Sequence, residues 1–145
     1  MIKFEKVARV NDVKLPERAT ENSAGYDFFA PEAITLPAKQ LTRVMTGVKC
    51  KLSPDMMLML ANRSSNPSKK GLFLANGVGI VDADYYNNPN NEGEIGFEFY
   101  NFKDEDITLE KNDKIGQGII TTYNKVQDDN ASGSRDGGFG STDKK

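Results

Sequence analysis

Residues 41–61 of the chain read LTRVMTGVKCKLSPDMMLMLA. Two mainly apolar runs of strand size, residues 41–52 and 56–61, lie on either side of Ser53-Pro54-Asp55. Serine, proline and aspartate favour turns, and proline cannot donate to a sheet ladder, so the two runs cannot form one continuous element. The stretch therefore predicts β-strands joined by a turn.

The same pattern continues along the chain. The apolar runs cover residues 2–10, 26–30, 41–52, 56–61, 72–74, 78–81, 95–102, 107–109 and 115–123. Residues 64–70 are predicted to form only a brief helical turn, and the polar stretch 86–93 an exposed loop. Many short strands with little helix are typical of a sandwich or barrel, so we expect an all-β, jelly-roll-like β-barrel over residues 1–127.

Composition limits the chemistry that this chain can perform. Its 145 residues suffice for one domain that needs no disulfide or metal for stability. Cys50 is the only cysteine and there is no histidine, which excludes Cys/His zinc sites and histidine acid–base chemistry. Any general base must therefore be a carboxylate, a lysine or a tyrosine.

Charge and hydropathy limit the partners and the location. The chain has 19 basic and 21 acidic residues without a basic block, so no nucleic-acid partner is expected. No apolar run approaches membrane-spanning length, and the N-terminus lacks the pattern of a signal peptide. We therefore expect a cytoplasmic protein without a membrane partner.

Residues 128–145 have the composition of a flexible tail but carry groups suited to a ligand. Only Ala131 and Phe139 are clearly apolar, and four glycines loosen the backbone, so the segment cannot join the core. Around Phe139, however, a guanidinium, glycine amides and hydroxyls suit phosphate oxygens, and the ring could cover a planar ligand. We expect a mobile arm that closes over a site, with a merely frayed terminus as the alternative.

Four other clusters combine glycine and polar residues with apolar flanks. Asp27 follows Gly25, and Gln117 lies between two glycines. Residues 62–65 place an arginine and two serines after a strand, where a structural serine turn is the alternative. In residues 76–85, an Asn-Gly hairpin turn precedes Asp82, whose apolar neighbours predict partial burial. A partly buried carboxylate needs a partner or a functional reason.

In order, the segments AGYDFFA (24–30), RSSNP (63–67), GVGIVDADY (77–85), KIGQGII (114–120) and GGFGST (137–142) resemble the five motifs of the homotrimeric dUTPase family. The resemblance implies a jelly-roll homotrimer with active sites at its interfaces. The arm, residues 128–145, would close over a neighbouring subunit's site. The implied reaction is Mg²⁺-assisted hydrolysis of dUTP to dUMP and pyrophosphate, which keeps uracil out of DNA and supplies dUMP for thymidylate synthesis.

The resemblance also implies roles for individual residues. Asp82 would be the general base that activates the water attacking the α-phosphorus. Tyr85 would pack against the deoxyribose, and Phe139 would stack on uracil. Asp27 would contact the metal indirectly, through water. The polar edge of uracil would pair with Asn76 and with the backbone of Gly79, Ile80 and Val81. The residues that would bind the phosphates are Arg63, Ser64, Ser65 and Gln117. The γ-phosphate would be held by Arg135, Gly140, Ser141 and Thr142.

The chain departs from the family pattern at three points. Residues 86–91 are inserted after Tyr85, the spacing from Arg135 to Phe139 is one residue shorter than usual, and Ser65 stands where glycine is commoner. Two other functions are considered: a dCTP deaminase of the same fold, which would need a buried glutamate base, and a nonenzymatic jelly-roll regulator that binds nucleotide.

Overall fold

A computed structural model describes residues 1–133 and 137–143. The strands are β1 (Lys3–Lys6), β2 (Tyr26–Phe29), β3 (Ile34–Leu36), β4 (Leu41–Met45), β5 (Val48–Lys51), β6 (Met56–Ala61), β7 (Leu72–Leu74), β8 (Gly79–Asp82), β9 (Gly96–Asn101), β10 (Ile107–Leu109) and β11 (Lys114–Thr122). Three short helical turns span Asn66–Lys70, Ala83–Tyr85 and Ser141–Asp143. The prediction of an all-β, jelly-roll-like fold is confirmed, and a helical turn lies within residues 64–70 as expected.

The strands form two larger sheets and two ribbons. The larger sheets have the strand orders β2-β11-β6-β8 and β4-β9-β7, while β1 pairs with β5 and β3 with β10. Along β9, burial alternates, so that Phe97 and Phe99 point inward. Phe97 meets Phe28 of β2 with ring centroids 5.3 Å apart. The hydrophobic core therefore lies between the two larger sheets.

Residues 41–52 form two strands in different sheets, so the prediction of one continuous run was wrong. β4 pairs with β9, whereas β5 pairs with β1. The break is at Gly47, whose φ of +74° is a left-handed conformation that glycine adopts without a steric cost. Its N–H donates to Oε2 of Glu94 at 2.9 Å, which holds the bend in place. The sequence pattern also missed β3, a three-residue strand between two prolines.

The predicted Asn-Gly turn is present, but it does not join two paired strands. Gly77 has a φ of +74°, and its N–H donates to the carbonyl of Leu74 at 3.0 Å. β7 pairs with β9, whereas β8 pairs with β6. The N–H of Ala75 still donates to Glu98 of β9 at 2.8 Å, so the chain leaves one sheet only at the turn. The turn therefore connects the two sheets, and the hairpin prediction was wrong.

The predicted exposed loop after Tyr85 is only partly exposed. The side chain of Asn88 is buried, and the hydroxyl of Tyr86 donates to the carboxylate of Glu5. The hydrogen bond of Tyr86 ties the loop to the N-terminal strand β1. In the part of the chain that the structure describes, no helix is long and apolar enough to cross a membrane.

Candidate active site

A pocket of about 300 Å³ opens beside β8. It brings together two parts of the chain that are far apart in sequence: the segment from Asn76 to Tyr85, and the arm. The predicted site residues that line it are Asn76, Gly79, Ile80, Val81, Asp82, Tyr85, Phe139 and Gly140. Phe139 and Gly140 line the pocket of their own chain here, whereas the resemblance implied that they close over a neighbour's site, so their role there stays a prediction.

The strand β8 presents backbone groups to this pocket. It is the last strand in the order β2-β11-β6-β8, so in the described part of the chain no further strand pairs with its outer side. Gly79 packs closely on Leu60, since a Cβ at Gly79 would be 3.2 Å from that side chain. An edge strand alternates N–H and C=O groups, so it can bind a planar ring whose rim carries both acceptors and donors.

Asp82 lies at the end of β8, opposite Met57 of β6. Its side chain is half-buried, as the apolar neighbours predicted. The extended backbone of Asp82, with φ −80° and ψ 156°, leads into the helical turn Ala83–Tyr85. A carboxylate and an aromatic ring are thereby held three residues apart on one wall of the pocket.

Tyr85 is buried and held at both ends. Its hydroxyl donates to the carbonyl of Glu94 at 2.6 Å and accepts from Nδ2 of Asn91 at 3.1 Å. The carboxylate of Glu94 in turn accepts from Nε of Arg9 at 2.8 Å and from Gly47. The ring therefore has a defined position at the pocket wall, because a buried phenol with two partners has little freedom to rotate.

The described part of the arm lies over the pocket of its own chain. Gly138 contacts the Tyr85 ring so closely that a Cβ there would be 2.8 Å from Cε1. Phe139 is 57% exposed, and its ring centroid is 3.9 Å from Cζ of Arg43. Arg43 also pairs with Glu98 at 3.3 Å. A cation–π contact with Arg43 therefore anchors the arm at the pocket rim.

Thr142 is exposed and is not among the described residues that line the pocket. Ser141 and Thr142 belong to the helical turn Ser141–Asp143 that follows the glycines. The predicted γ-phosphate ligand Arg135 lies outside the described residues.

A second cluster gathers around Gln117 in the middle of β11. Gln117 lies between Asp27 of β2 and Ala61 of β6 in the strand register. Its Nε2 donates to the carbonyl of Asn62 at 3.1 Å. Gly25 makes room for the side chain, since a Cβ there would be 2.2 Å from Oε1 of Gln117. The first, second and fourth predicted motifs therefore meet at this one place.

Two asparagines that the sequence analysis did not single out hold the second motif. Oδ1 of Asn62 accepts from the Arg63 amide at 2.9 Å and from Nδ2 of Asn66 at 2.7 Å. Nδ2 of Asn66 also donates to the carbonyl of Ile115 at 3.0 Å. They fix the turn that carries Ser64 and Ser65, of which Ser64 is exposed. The only sequence signal was two asparagines four residues apart around the serines.

Asp27 has one cationic partner in this cluster. Its Oδ2 lies 3.1 Å from Nζ of Lys114, and its side chain is 17% exposed. Lys114 was part of a quoted motif but was not assigned a role. Among residues 1–133 and 137–143, no three His, Cys, Asp or Glu side chains are close enough together to hold a metal ion by themselves.

The two clusters lie at different places on one chain. Asp82 is opposite Met57 of β6, whereas Gln117 is opposite Ala61, four residues further along the same strand. Four strand residues correspond to roughly 13 Å. The phosphate-side residues are therefore not brought to Asp82 within a single chain.

Comparison with known proteins gives consistent matches over nearly the whole chain. A sequence profile of the dUTPase family matches residues 11–143. A deoxyuridine 5'-triphosphate nucleotidohydrolase of Lactococcus lactis is 40% identical over 96% of this chain and 95% of its own length. That of Rickettsia felis is 34% identical over 97% of this chain and 95% of its own.

Solved structures agree with these relatives. The crystal structure of a dUTPase from Streptococcus mutans has a TM-score of 0.84 and 41% identity, and it covers 86% of this chain and 98% of its own. A dUTPase from phage phi11 of S. aureus shares the fold at 18% identity, with a TM-score of 0.73 over 92% of this chain and 97% of its own. With the pocket at β8 and the cluster around Gln117, these matches establish that the chain belongs to the dUTPase family.

Proposed function

We propose that this protein hydrolyses dUTP to dUMP and pyrophosphate. The observation that carries the proposal is the pocket that combines the half-buried Asp82, the fixed Tyr85 ring and the edge strand β8 with the arm glycines. Relatives of 34–40% identity that are named deoxyuridine 5'-triphosphate nucleotidohydrolase support it. The cellular consequences would be exclusion of uracil from DNA and supply of dUMP in the cytoplasm.

The edge strand suits the base of this substrate. Uracil carries an N–H between two carbonyls, and the backbone from Gly79 to Val81 can offer the complementary alternation, with the Asn76 amide beside it. A uracil ring in contact with this backbone would leave no space for the methyl group of thymine. The buried Tyr85 ring would pack on deoxyribose and exclude a ribose hydroxyl by contact.

Asp82 is the proposed general base. In the reaction, the carboxylate would take a proton from a water molecule while the water oxygen forms a bond to the α-phosphorus. The bond from that phosphorus to the bridging oxygen of pyrophosphate would break, and pyrophosphate would leave with the electron pair. A positioned base of this kind contributes about 10²–10⁴-fold to the rate. The absence of histidine from the chain supports a carboxylate in this role.

The phosphates would be bound by the second cluster of a neighbouring subunit in a homotrimer. Arg63, Ser64, Ser65 and Gln117 provide a guanidinium, hydroxyls and an amide, all of which suit phosphate oxygens. This cluster is roughly 13 Å along β6 from Asp82 in the same chain, and a subunit interface would bring it next to the Asp82 of a neighbouring chain.

Magnesium fits the second cluster when the substrate supplies most of its ligands. Mg²⁺ usually keeps several waters and binds one or two carboxylates together with substrate phosphates. Asp27 is a partly accessible carboxylate next to Gln117 in the strand register, so both could hold the waters of the ion. When bound, the ion neutralises negative charge on the triphosphate.

The arm, residues 128–145, would cover the bound nucleotide. Phe139 already lines the pocket and would stack on uracil, while Arg135, Gly140, Ser141 and Thr142 would hold the γ-phosphate. In the single chain the arm lies over its own pocket, and the proposal is that in the trimer it makes the same contacts with the pocket of a neighbouring subunit. Residues 123–136 can span about 45 Å when extended, so the connection is long enough for this.

The direct test is pyrophosphate release from dUTP, dCTP, dTTP and UTP, with magnesium and with EDTA in its place. We expect rapid release from dUTP with magnesium and slow release from the other three nucleotides. Ammonia produced from dCTP would identify a deaminase instead. Binding of dUTP without any product would identify a nonenzymatic regulator.

A further inference from the structure

The insertion 86–91 is tied to the barrel at several points. Nζ of Lys49 donates to Oδ1 of Asn87 at 2.6 Å and to the carboxylate of Glu92 at 3.0 Å. The Ala8 amide also donates to Glu92, and this hydrogen bond, together with that from Lys49, lowers the pKa of the carboxyl. The insertion therefore has a defined conformation and can restrict the positions of the side chains that it contacts.

One neighbour is Tyr85, which the insertion holds at both its backbone and its phenol. The backbone N–H of Asn88 donates to the carbonyl of Tyr85 at 3.2 Å. Gly93 lies against the same carbonyl, where a Cβ would be 2.2 Å from the oxygen. Nδ2 of Asn91 donates to the hydroxyl of Tyr85 at 3.1 Å.

The orientation of Asn91 is itself determined. Its Oδ1 accepts from the Gly93 amide at 2.9 Å, so Nδ2 is directed to the phenol. The phenol donates its single proton to Glu94 and therefore can only accept from Asn91. An amide donor at position 91 is the group that this arrangement requires.

We infer that Asn91 is a positioning residue for sugar selection: it holds the Tyr85 ring at the place where the ring excludes a ribose hydroxyl. The inference rests on the proposed function, in which Tyr85 packs against the deoxyribose. With Asn91 replaced by alanine, the phenol loses the hydrogen bond from Nδ2, and the ring is held less firmly at the place where it meets the sugar. The insertion would thus have a role in discrimination between dUTP and UTP.

The test measures kcat/KM for dUTP and for UTP in Asn91→Ala and Asn91→Asp. Aspartate keeps the shape and the bond from the Gly93 amide but, when ionised, cannot donate to the phenol. We expect the ratio of UTP to dUTP activity to rise about two- to tenfold in both variants, the factor that corresponds to one net hydrogen bond. Thermal unfolding of each variant verifies that the barrel is folded.

A matched control separates loss of the donor from the added charge. Asn87→Asp makes the same chemical change in the same loop, where Oδ1 serves only as an acceptor for Lys49. Its UTP-to-dUTP ratio should stay at the wild-type value. A rise in Asn87→Asp equal to that in Asn91→Asp would overturn the inference.

A double-mutant cycle with Tyr85→Phe gives the decisive result. If Asn91 acts through the phenol, Asn91→Ala should not change the ratio further once the hydroxyl is absent. An unchanged ratio in the single variants, or an equal rise in the Tyr85→Phe background, contradicts the positioning role. Failure of the wild-type protein to hydrolyse dUTP would instead refute the proposed function.

Discussion

At the scale of single residues, the proposed chemistry depends on one carboxylate in a chain without histidine. Asp82 and Asp84 are two residues apart, yet only Asp82 lines the pocket with Tyr85 and the arm. Asp84 is exposed and is not part of that pocket; it lines a second groove with Tyr123, to which Asp82 also contributes. The two carboxylates therefore provide a matched pair for testing which of them acts as the base.

Asp82→Asn should retain the fold and dUTP binding but lower kcat by about 10²–10⁴-fold, because asparagine cannot accept the proton from water. Asp84→Asn should have a kcat close to that of the wild type. Steady-state pyrophosphate release and calorimetric titration with dUTP measure the two quantities. Near-wild-type turnover in Asp82→Asn would assign the base to another group.

Cys50 provides a residue-level test of the fold. Burial among apolar neighbours raises the pKa of its thiol to about 12, and the residue is 1% exposed. At pH 8 a thiol with such a pKa is ionised in roughly one molecule in ten thousand. A disulfide reagent should therefore leave the native protein unlabelled and should modify one thiol per chain after unfolding in urea. Rapid labelling of the native protein would show that β5 is not packed as described.

At the scale of elements, the fit between the arm and the pocket depends on the backbone of the arm. The contact between Gly138 and Tyr85 leaves no room for a methyl group, and Phe139 adopts a φ of +53°, which is uncommon for a residue other than glycine. The arm is therefore fitted to the pocket by its backbone as well as by its aromatic ring.

Gly138→Ala should lower kcat by up to about 10²-fold, since a misplacement of about 1 Å at a site can have that effect. The midpoint of thermal unfolding should not change, because the arm is outside the core. Ser132→Ala, an exposed change in the same arm, is the control. Full activity of Gly138→Ala would mean that the arm does not close as the structure describes.

The sequence pattern predicted the bounds of some strands correctly and missed a break in another predicted run. The runs at 56–61, 72–74 and 107–109 match β6, β7 and β10, because turn residues bound each of them closely. The break at Gly47 was missed, since its N–H donates to a carboxylate 47 positions away in the chain. A local sequence pattern contains no information on a hydrogen-bond partner that is so far away along the chain.

The candidate site was predicted in part. Much of the lining of the pocket at β8 comes from one continuous segment, 76–85, and the residues that the sequence analysis selected from that segment line it. The contact of Asn91 with Tyr85 was not foreseen, because the insertion consists of turn-forming residues whose composition indicates an exposed loop. Only the folded chain brings that amide to the phenol.

At the scale of the whole molecule, the separation of Asp82 from Gln117 makes assembly testable. Three chains of 16.0 kDa each should give a particle of about 48 kDa by light scattering. Removal of residues 128–145 should leave the trimer intact, since the arm is too polar to form the interface. A monomeric full-length protein would contradict an interface-built site.

Mixed trimers test how subunits share a site. Asp82→Asn and Gln117→Ala chains, each inactive alone, should regain activity when equal amounts are unfolded and reassembled together. If each site takes its pocket from one subunit and its phosphate cluster from another, about a quarter of the sites are intact in a random mixture. No activity above that of the parents would place both halves in one chain.

The same design locates the arm. An arm-deleted chain has an intact Asp82, and an Asp82→Asn chain has an intact arm. An arm supplied by the neighbour should again restore about a quarter of the sites. Activity absent from this mixture, but present in the preceding one, would mean that each arm closes over its own subunit.

The glycines beside Gln117 affect how relatives of this protein can be identified. A Cβ at Gly116 would be 2.4 Å from the Phe97 ring, and one at Gly118 would be 2.8 Å from Leu58. Both glycines are thus needed for core packing, independently of any ligand. A homologue that has lost its catalytic activity would still need both glycines for core packing. A match at these two positions therefore indicates common ancestry. The residue between them indicates whether the phosphate-side cluster is retained.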